Sequence, residues 1–167
     1  SANPTGPLTV GHGRGAILGD VVSNILKWNG YEVEREYYYN NAGKQMQKLG
    51  DSVRARYLEL LGEKVEFPKE GYEGEYIIDI AKTLQDKKGA TLKDSSDISH
   101  FKQAAESTIF QQIKKTLNRI GLKFDMFFNE DSLYESGEIK EVLATLIKKN
   151  LVYEKEGATW FKATESG

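Results

Sequence analysis

A glycine-rich turn that contains one of only two histidines is the part of this sequence best suited to chemistry. Residues 9–12 read Thr-Val-Gly-His, and Gly13, Arg14 and Gly15 follow directly. The N-terminus of a helix has free N–H groups and the positive end of the dipole, which favour phosphate. Glycines let a flat ligand approach the backbone, and His12 can donate a hydrogen bond to a phosphoryl oxygen in a transition state. These residue types therefore predict a ligand that contains a phosphate group.

A helix must follow this turn to position it. Apolar residues recur at three- and four-residue steps from Ile17 to Trp28, which predicts an amphipathic helix that begins after Gly13 and is closed by Asn29-Gly30. The stretch 31–39 is rich in β-branched and aromatic residues and predicts a strand. Helix and strand make two-thirds of a βαβ unit, whose first strand would precede residue 1. We therefore expect the natural protein to be longer than these residues.

The rest of the chain predicts further helices and strands in an α/β order. A helix from Ser132 to Lys149 has Glu135 in the position of a capping box, and Lys155-Glu156-Gly157 is typical of a hairpin turn. The remaining predicted elements are helices over 41–61, 75–88 and 100–120, a strand over 123–128, and hairpin strands over 151–154 and 158–162.

Composition limits the class of protein. The 167 residues are 39% hydrophobic and 29% charged, as in a globular protein of about one domain, and no apolar run approaches the roughly 20 residues that a bilayer requires. The absence of cysteine excludes disulfides and thiolate metal sites, and no signal peptide is recognised, so we expect a cytoplasmic location. A net charge of -2 leaves nucleic-acid binding to local basic patches.

Several motifs, in a fixed order, carry a resemblance to a known family. The run from Ser1 to Arg14 resembles the signature loop of the class I aminoacyl-tRNA synthetases, in the form found in the arginyl-tRNA synthetases. Segments that resemble the same family follow at Glu36–Gln45, Gly71–Ile77, Ile80–Lys82, Phe124-Asp125, Ser132–Gly137, and Val152–Lys155 with Trp160-Phe161.

The resemblance implies a partial Rossmann-like α/β fold and the ATP-dependent activation of arginine to arginyl-adenylate, followed by transfer to the cognate tRNA. We expect residues 1–128 to form a partial catalytic core with a helical insertion. Residues 129–167 would form a helix and hairpin leading into a connective insertion, and no anticodon-binding domain is expected in this chain. Magnesium is expected with ATP, although no carboxylate can be assigned to it, and no protein-bound metal site is predicted. The oligomeric state is left open, with a monomer expected for the parent enzyme.

The family's HIGH motif implies roles for particular residues. By that match Gly11 lets adenine or ribose pack on the backbone, and His12 stabilises the triphosphate during in-line attack. The expected catalytic residues are Thr9, Gly11 and His12, and ATP would contact Thr9, Val10, Gly11, His12, Gly13 and Arg14. The expected arginine-binding residues are Asn3, Tyr38, Asn41 and Gln45. The signature region consists of Ala2, Asn3, Pro4, Thr5, Gly6, Pro7, Leu8, Thr9, Val10, Gly11 and His12.

Two departures from the family pattern affect these roles. Thr9 stands where the motif has its first histidine, so a hydroxyl replaces an imidazole. The segment 40–43 has asparagine where the family commonly has aspartate, which removes a carboxylate. A hydroxyl and a carboxamide can still form hydrogen bonds.

Two other functions fit the Gly-His turn. A small nucleotidyltransferase is one, although such chains begin with an intact strand and lack the later motifs. The other is a non-catalytic fragment that binds ATP or arginine weakly. No lysine-rich KMSK-type loop occurs in these residues, so we expect them to be inactive alone.

Three further features have a structural explanation, which for two of them stands beside a possible role in binding. His100 opens a predicted helix and is given no role. Strand alternation directs two of the three tyrosines at 37–39 into packing layers, which leaves one free for a ligand. The five basic residues between Lys102 and Lys123 accompany only one acid, Glu106, and form either a solvated helix face or a contact for tRNA phosphates.

Overall fold

Four helices and two parallel strands make up the first part of the chain. The computed structural model describes residues 1–165, which form one unit over Ser1–Asn129 and a second beginning at Glu130. The first unit contains α1 (Val10–Trp28), β1 (Glu36–Tyr39), α2 (Gly43–Leu60), α3 (Glu75–Lys88), α4 (Ser99–Arg119) and β2 (Met126–Asn129). This α/β order confirms the predicted fold class.

The two strands of the first unit pair in parallel over four residues. Glu36 lies opposite Met126, and the register continues to Tyr39 opposite Asn129. Just before the strands, the Arg35 N–H donates to the Asp125 carboxylate (2.7 Å) and the Asp125 N–H donates to the Arg35 carbonyl (2.8 Å). The predicted strand over 31–39 was too long at its start, because β2 offers pairing partners only from Met126 onward. The second strand was predicted three residues early for the same reason.

The core of this unit is a layer of three helices beside the strands. α2 packs against α3 and α4, and its fully buried residues include Met46, Leu49 and Tyr57. Gly50 allows the close approach of α4, since a Cβ there would lie 2.7 Å from Cγ of Lys102. The apolar residues of α2, α3 and α4 recur with the helical period of 3.6 because each helix buries one face. The predicted ends of these helices therefore agree with the structure within two residues.

Helix α1 differs from the prediction in two respects. It begins at Val10, because Thr9 caps its first turn, and so includes Gly11 and Gly13 rather than following them. Its predicted end before Asn29-Gly30 is confirmed. Within the described residues 1–165, α1 buries none of its 19 residues, although its apolar stripe resembles a core face.

The second unit contains two short helices and a hairpin. Its elements are α5 (Asp131–Glu135), α6 (Glu138–Lys148), β3 (Val152–Lys155), β4 (Ala158–Phe161) and a 3-10 turn at Ala163–Glu165. The single helix predicted from Ser132 is wrong. Gly137 has φ +82°, which interrupts the helix, and Ser132 lies inside α5 and is not its cap. The predicted hairpin is confirmed, with antiparallel pairing from Val152 opposite Phe161 to Lys155 opposite Ala158.

Candidate functional site

The first turn of α1 has a capping box made by Thr9 and His12. The Thr9 hydroxyl accepts a hydrogen bond from the His12 backbone N–H (3.4 Å), and His12 Nδ1 accepts one from the Thr9 backbone N–H (3.1 Å). Since Nδ1 is the acceptor, the proton of the neutral imidazole lies on Nε2. Both side chains are exposed, so the Nε2–H can donate to a ligand at the helix N-terminus.

The other residues of the predicted ATP set continue along this turn. The Gly13 N–H donates to the Thr9 carbonyl (3.1 Å) and forms the first intrahelical hydrogen bond. The N–H groups of Val10 and Gly11 precede that bond and are therefore available to an anion. Val10, Gly13 and Arg14 also line an open, mainly apolar concavity of about 490 Å³ together with Ile17, Leu18 and Ile120.

Asn3 lies in the N-terminal loop, which we define as residues 1–9, and contacts the carboxyl end of β1. Its Oδ1 accepts from the Asn40 backbone N–H (3.0 Å), and its Nδ2 donates to Oε1 of Gln45 (3.3 Å). Asn40 in turn accepts from the Ala42 N–H (2.7 Å). Two residues of the predicted arginine set, Asn3 and Gln45, are thus brought together across 42 positions. Ligands of parallel α/β sheets generally bind at such strand ends.

The other two residues of that set have contacts of their own. The Asn41 Nδ2 donates to the Glu106 carboxylate on α4 (2.8 Å), and no described atom hydrogen-bonds its buried Oδ1. Tyr38 is 41% exposed and stacks on Phe128, with ring centroids 5.9 Å apart. Tyr37 and Tyr39 both pack against Phe110, which confirms that two of the three tyrosines serve packing layers. Tyr38 is therefore the tyrosine of this strand that faces outward.

Glu106 is a residue of this region that sequence reasoning missed. It contacts Asn41 from 65 positions away, and burial and then the charge of Glu106 raise the pKa of the Tyr39 hydroxyl. A lone acid in a basic stretch carries no sequence signal for this contact. Tyr76 is a second missed residue, because its hydroxyl donates to the Thr5 carbonyl of the N-terminal loop (2.8 Å).

The basic residues of α4 do not act as one group. The Lys114 ammonium lies over the rings of Phe110 (4.8 Å) and Phe127 (4.4 Å), so this lysine belongs to the aromatic cluster. Lys115, Arg119 and Lys123 are exposed.

The described residues contain neither a cluster of metal-ligating side chains nor a membrane-spanning helix. No group of three or more His, Cys, Asp or Glu side chains within residues 1–165 could hold a metal ion. Among the helices of this part of the chain, none is long and apolar enough to cross a membrane.

Comparisons with known proteins define the class to which this fold and site belong. All 167 residues match the family described as tRNA synthetases class I (R), catalytic domain, and the chain belongs to that family. It is similar to the arginine–tRNA ligases of Desulfotalea psychrophila (56% identity over 167 residues) and Pelodictyon phaeoclathratiforme (51% over 172 residues). Both matches include the whole of this chain. The chain spans only 30% of the length of the first relative and 31% of the second.

A solved structure supports the same assignment. A structure from Campylobacter jejuni, described as an arginyl-tRNA synthetase, aligns with this chain with a TM-score of 0.87 and 36% sequence identity. The alignment covers all of this chain and 37% of the Campylobacter jejuni chain. This likeness confirms a partial Rossmann-like fold of the class I catalytic domain. The family also argues against the alternative of a small nucleotidyltransferase.

Proposed function

We propose that the polypeptide containing this chain activates arginine with ATP and transfers the arginyl group to its cognate tRNA. The arginine carboxylate attacks the α-phosphorus and pyrophosphate leaves, which gives arginyl-adenylate. A tRNA hydroxyl then attacks the carbonyl carbon, AMP leaves, and the hydroxyl proton passes to the phosphate of the departing AMP. The observation that carries the proposal is the match of every residue to the arginine-specific class I family. We also predict that this polypeptide is cytoplasmic and monomeric.

The chain's own residues would act by positioning and electrostatics. Activation needs no catalytic base, because its nucleophile is already a carboxylate. The Nε2–H of His12 and the free N–H groups of Val10 and Gly11 would stabilise charge on the triphosphate. Asn3 and Gln45 at the end of β1 would hold arginine, as would Tyr38 and Asn41 from the same segment.

Magnesium would accompany ATP on its phosphate oxygens. Within residues 1–165 no group of three or more His, Cys, Asp or Glu side chains could hold this ion, so we assign it to no residue of this chain. We therefore assign no step to a protein-bound metal. The role of residues 129–167 in leading to a connective insertion also stays a prediction.

Arginine-dependent exchange of pyrophosphate into ATP, measured with and without tRNA on the full-length polypeptide, tests the proposal. His12→Ala should lower the exchange rate by about 10²–10³, the effect of removing a charge-stabilising donor. His100→Ala is the matched control, since the other histidine of the chain is exposed on α4 and should leave the rate unchanged. Absence of arginine-dependent exchange in the wild type would refute the proposal.

The 167 residues alone are a separate case. We propose that they bind ATP or arginine weakly and do not aminoacylate. Titration calorimetry of this chain with each ligand measures the binding. Detectable adenylate formation by the isolated chain would contradict this part of the proposal.

A further inference from the structure

Two tyrosine hydroxyls hold the backbone of the N-terminal loop from opposite sides of Asn3. The Tyr37 hydroxyl donates to the Ala2 carbonyl (3.0 Å) and accepts from the Ala2 N–H (3.0 Å). The Tyr76 hydroxyl donates to the Thr5 carbonyl (2.8 Å). Between these contacts the Thr5 N–H closes a turn onto the Asn3 carbonyl (2.8 Å). The backbone around Asn3 is thus fixed at both ends.

Both tyrosine rings are themselves immobilised by packing. Tyr37 is 1% exposed and lies among the rings of Phe110, Phe124 and Phe127. Tyr76, at the second position of α3, lies against the backbone of two glycines. A ring held by packing keeps its hydroxyl in one position. Each hydrogen bond from such a hydroxyl therefore restrains the loop relative to the core.

The two glycines beside Tyr76 are required by its ring. A Cβ on Gly6 would lie 3.1 Å from the Tyr76 hydroxyl oxygen, and a Cβ on Gly74 would lie 2.5 Å from its Cε1. Neither glycine has a positive φ, so close approach rather than backbone conformation explains them. Gly6 belongs to the N-terminal loop, so the loop and α3 are complementary in shape at this contact.

The hydroxyls have no packing function of their own. Phenylalanine would fill the same core volume, and burying a hydroxyl is costly unless it is hydrogen-bonded. Burial raises the pKa of both tyrosines above an ordinary value that is already far from neutral pH, so both hydroxyls can donate to the loop carbonyls. The hydroxyls therefore serve the loop.

We propose that Tyr37 and Tyr76 are positioning residues that fix the N-terminal loop and thereby place Asn3 for the amino-acid substrate and Thr9 and His12 for ATP. This inference rests on the proposed function. Neither tyrosine contacts the reacting atoms. They act through the loop, which connects the end of β1 to the first turn of α1.

Kinetics of the full-length polypeptide test the inference. Tyr76→Phe and Tyr37→Phe should each lower kcat/KM for arginine and for ATP in pyrophosphate exchange by about three- to tenfold, with KM for arginine raised, since each loses hydrogen bonds to the loop. Tyr57→Phe is the control matched for stability. It removes a buried hydroxyl that donates to the Gly89 carbonyl (2.5 Å), away from the loop, and should leave both KM values within about twofold.

Amide hydrogen exchange gives a readout that does not depend on activity. The Thr5 and Thr9 amides should exchange faster in Tyr76→Phe than in the wild type, and should be unchanged in Tyr57→Phe. Kinetic and exchange effects no larger than those of Tyr57→Phe would overturn the inference. A wild type without arginine-dependent activity would refute the proposed function, and the exchange comparison would still decide whether the tyrosines hold the loop.

A double-mutant cycle provides a second test of the Tyr76 contact. Gly6→Ala forces a methyl group against the Tyr76 hydroxyl, whereas Tyr76→Phe removes that oxygen. The loss of kcat/KM caused by Gly6→Ala should therefore be at least about threefold smaller in the Tyr76→Phe background. Additive effects would show that the loop and Tyr76 do not act together.

Discussion

His12 and Thr9 show how a helix cap can also prepare a ligand group. The cap holds the imidazole by its Nδ1, and this contact leaves the exposed Nε2–H available for the triphosphate that we propose as its partner. Thr9, which looked like the loss of a motif histidine, occupies the N-cap position, where threonine is among the preferred residues. Its hydroxyl thus has a structural role that a charge comparison does not reveal.

Substitutions at Thr9 should show whether its hydroxyl caps α1. Thr9→Ala should destabilise the protein by about 0.5–2 kcal/mol and lower kcat/KM for ATP, because the His12 N–H loses its acceptor and the first turn loosens. Thr9→Ser keeps the oxygen and should resemble the wild type. Denaturant unfolding and ATP-dependent exchange kinetics measure the two effects, and equal behaviour of the alanine and serine variants would contradict the capping role.

Asn41 illustrates why an amide is suited to its position in this segment. Its Nδ2 lies 2.8 Å from a Glu106 oxygen, so an aspartate would place two carboxylates in contact at a half-buried site. Asn41→Asp should therefore lower the free energy of unfolding by about 1–3 kcal/mol at neutral pH.

The added Glu106→Gln substitution should recover most of that loss, since an amide can donate to the new carboxylate. Denaturant unfolding of the two single variants and the double variant measures the coupling. A double variant as unstable as the sum of the single variants would contradict a direct Asn41–Glu106 interaction.

At the scale of elements, turn and cap residues decide where the short elements of the second unit end. Glu156 and Gly157 have φ values of +53° and +74°, as in a type I′ turn, and Asn150 after α6 has φ +55°. Asparagine tolerates this left-handed conformation better than glutamate does. The same conformation is thus favourable at one position and strained at the other.

Glu156→Asn should stabilise the β3–β4 hairpin by about 0.5–1 kcal/mol, because Asn-Gly is a preferred type I′ turn. The reverse change, Asn150→Glu, is the matched control and should destabilise the end of α6 by a similar amount. Amide exchange of the paired strands and of Leu151, whose N–H donates to the Leu146 carbonyl (3.0 Å), measures each effect. Faster exchange in Glu156→Asn would contradict the prediction.

At the scale of the whole molecule, α1 presents an apolar face that the described residues leave exposed. Its large apolar side chains are between 39% and 92% exposed, and Trp28 is 90% exposed. Exposed apolar surface of this extent commonly marks an interaction site. The chain spans 30% of the Desulfotalea relative, so we propose that further polypeptide of the same protein covers this face.

A charged residue on this face should therefore destabilise the full-length polypeptide more than it destabilises the 167-residue chain. Ile25→Asp, at a residue that is 56% exposed, should change the stability of the 167-residue chain by less than about 0.5 kcal/mol and destabilise the full-length polypeptide by more than about 2 kcal/mol. Val53→Asp, in the buried core, should destabilise both. Chemical denaturation measures all four variants, and equal tolerance of Ile25→Asp in both polypeptides would show that the face stays exposed.

Local patterns were sufficient for the elements that depend on one buried face or one turn. The bounds of α2, α3 and α4 and the β3–β4 hairpin follow from residue spacing and turn chemistry. The lengths of β1 and β2 could not be predicted in this way, because a strand extends only as far as its partner. The two strands lie about 90 residues apart in the sequence. The break at Gly137 was missed because apolar spacing continues across it.

The sequence by itself determined the helical periods, the phosphate-favouring turn at residues 9–12 and the family resemblance, because these depend on neighbouring residues and ordered motifs. Only the tertiary structure decided which side chains meet. Glu106 reaches Asn41 across 65 positions and Tyr76 reaches Thr5 across 71, contacts that no local pattern encodes. It also decided that the apolar face of α1 is exposed in these residues, since burial depends on what packs against a helix and not on the helix's own sequence.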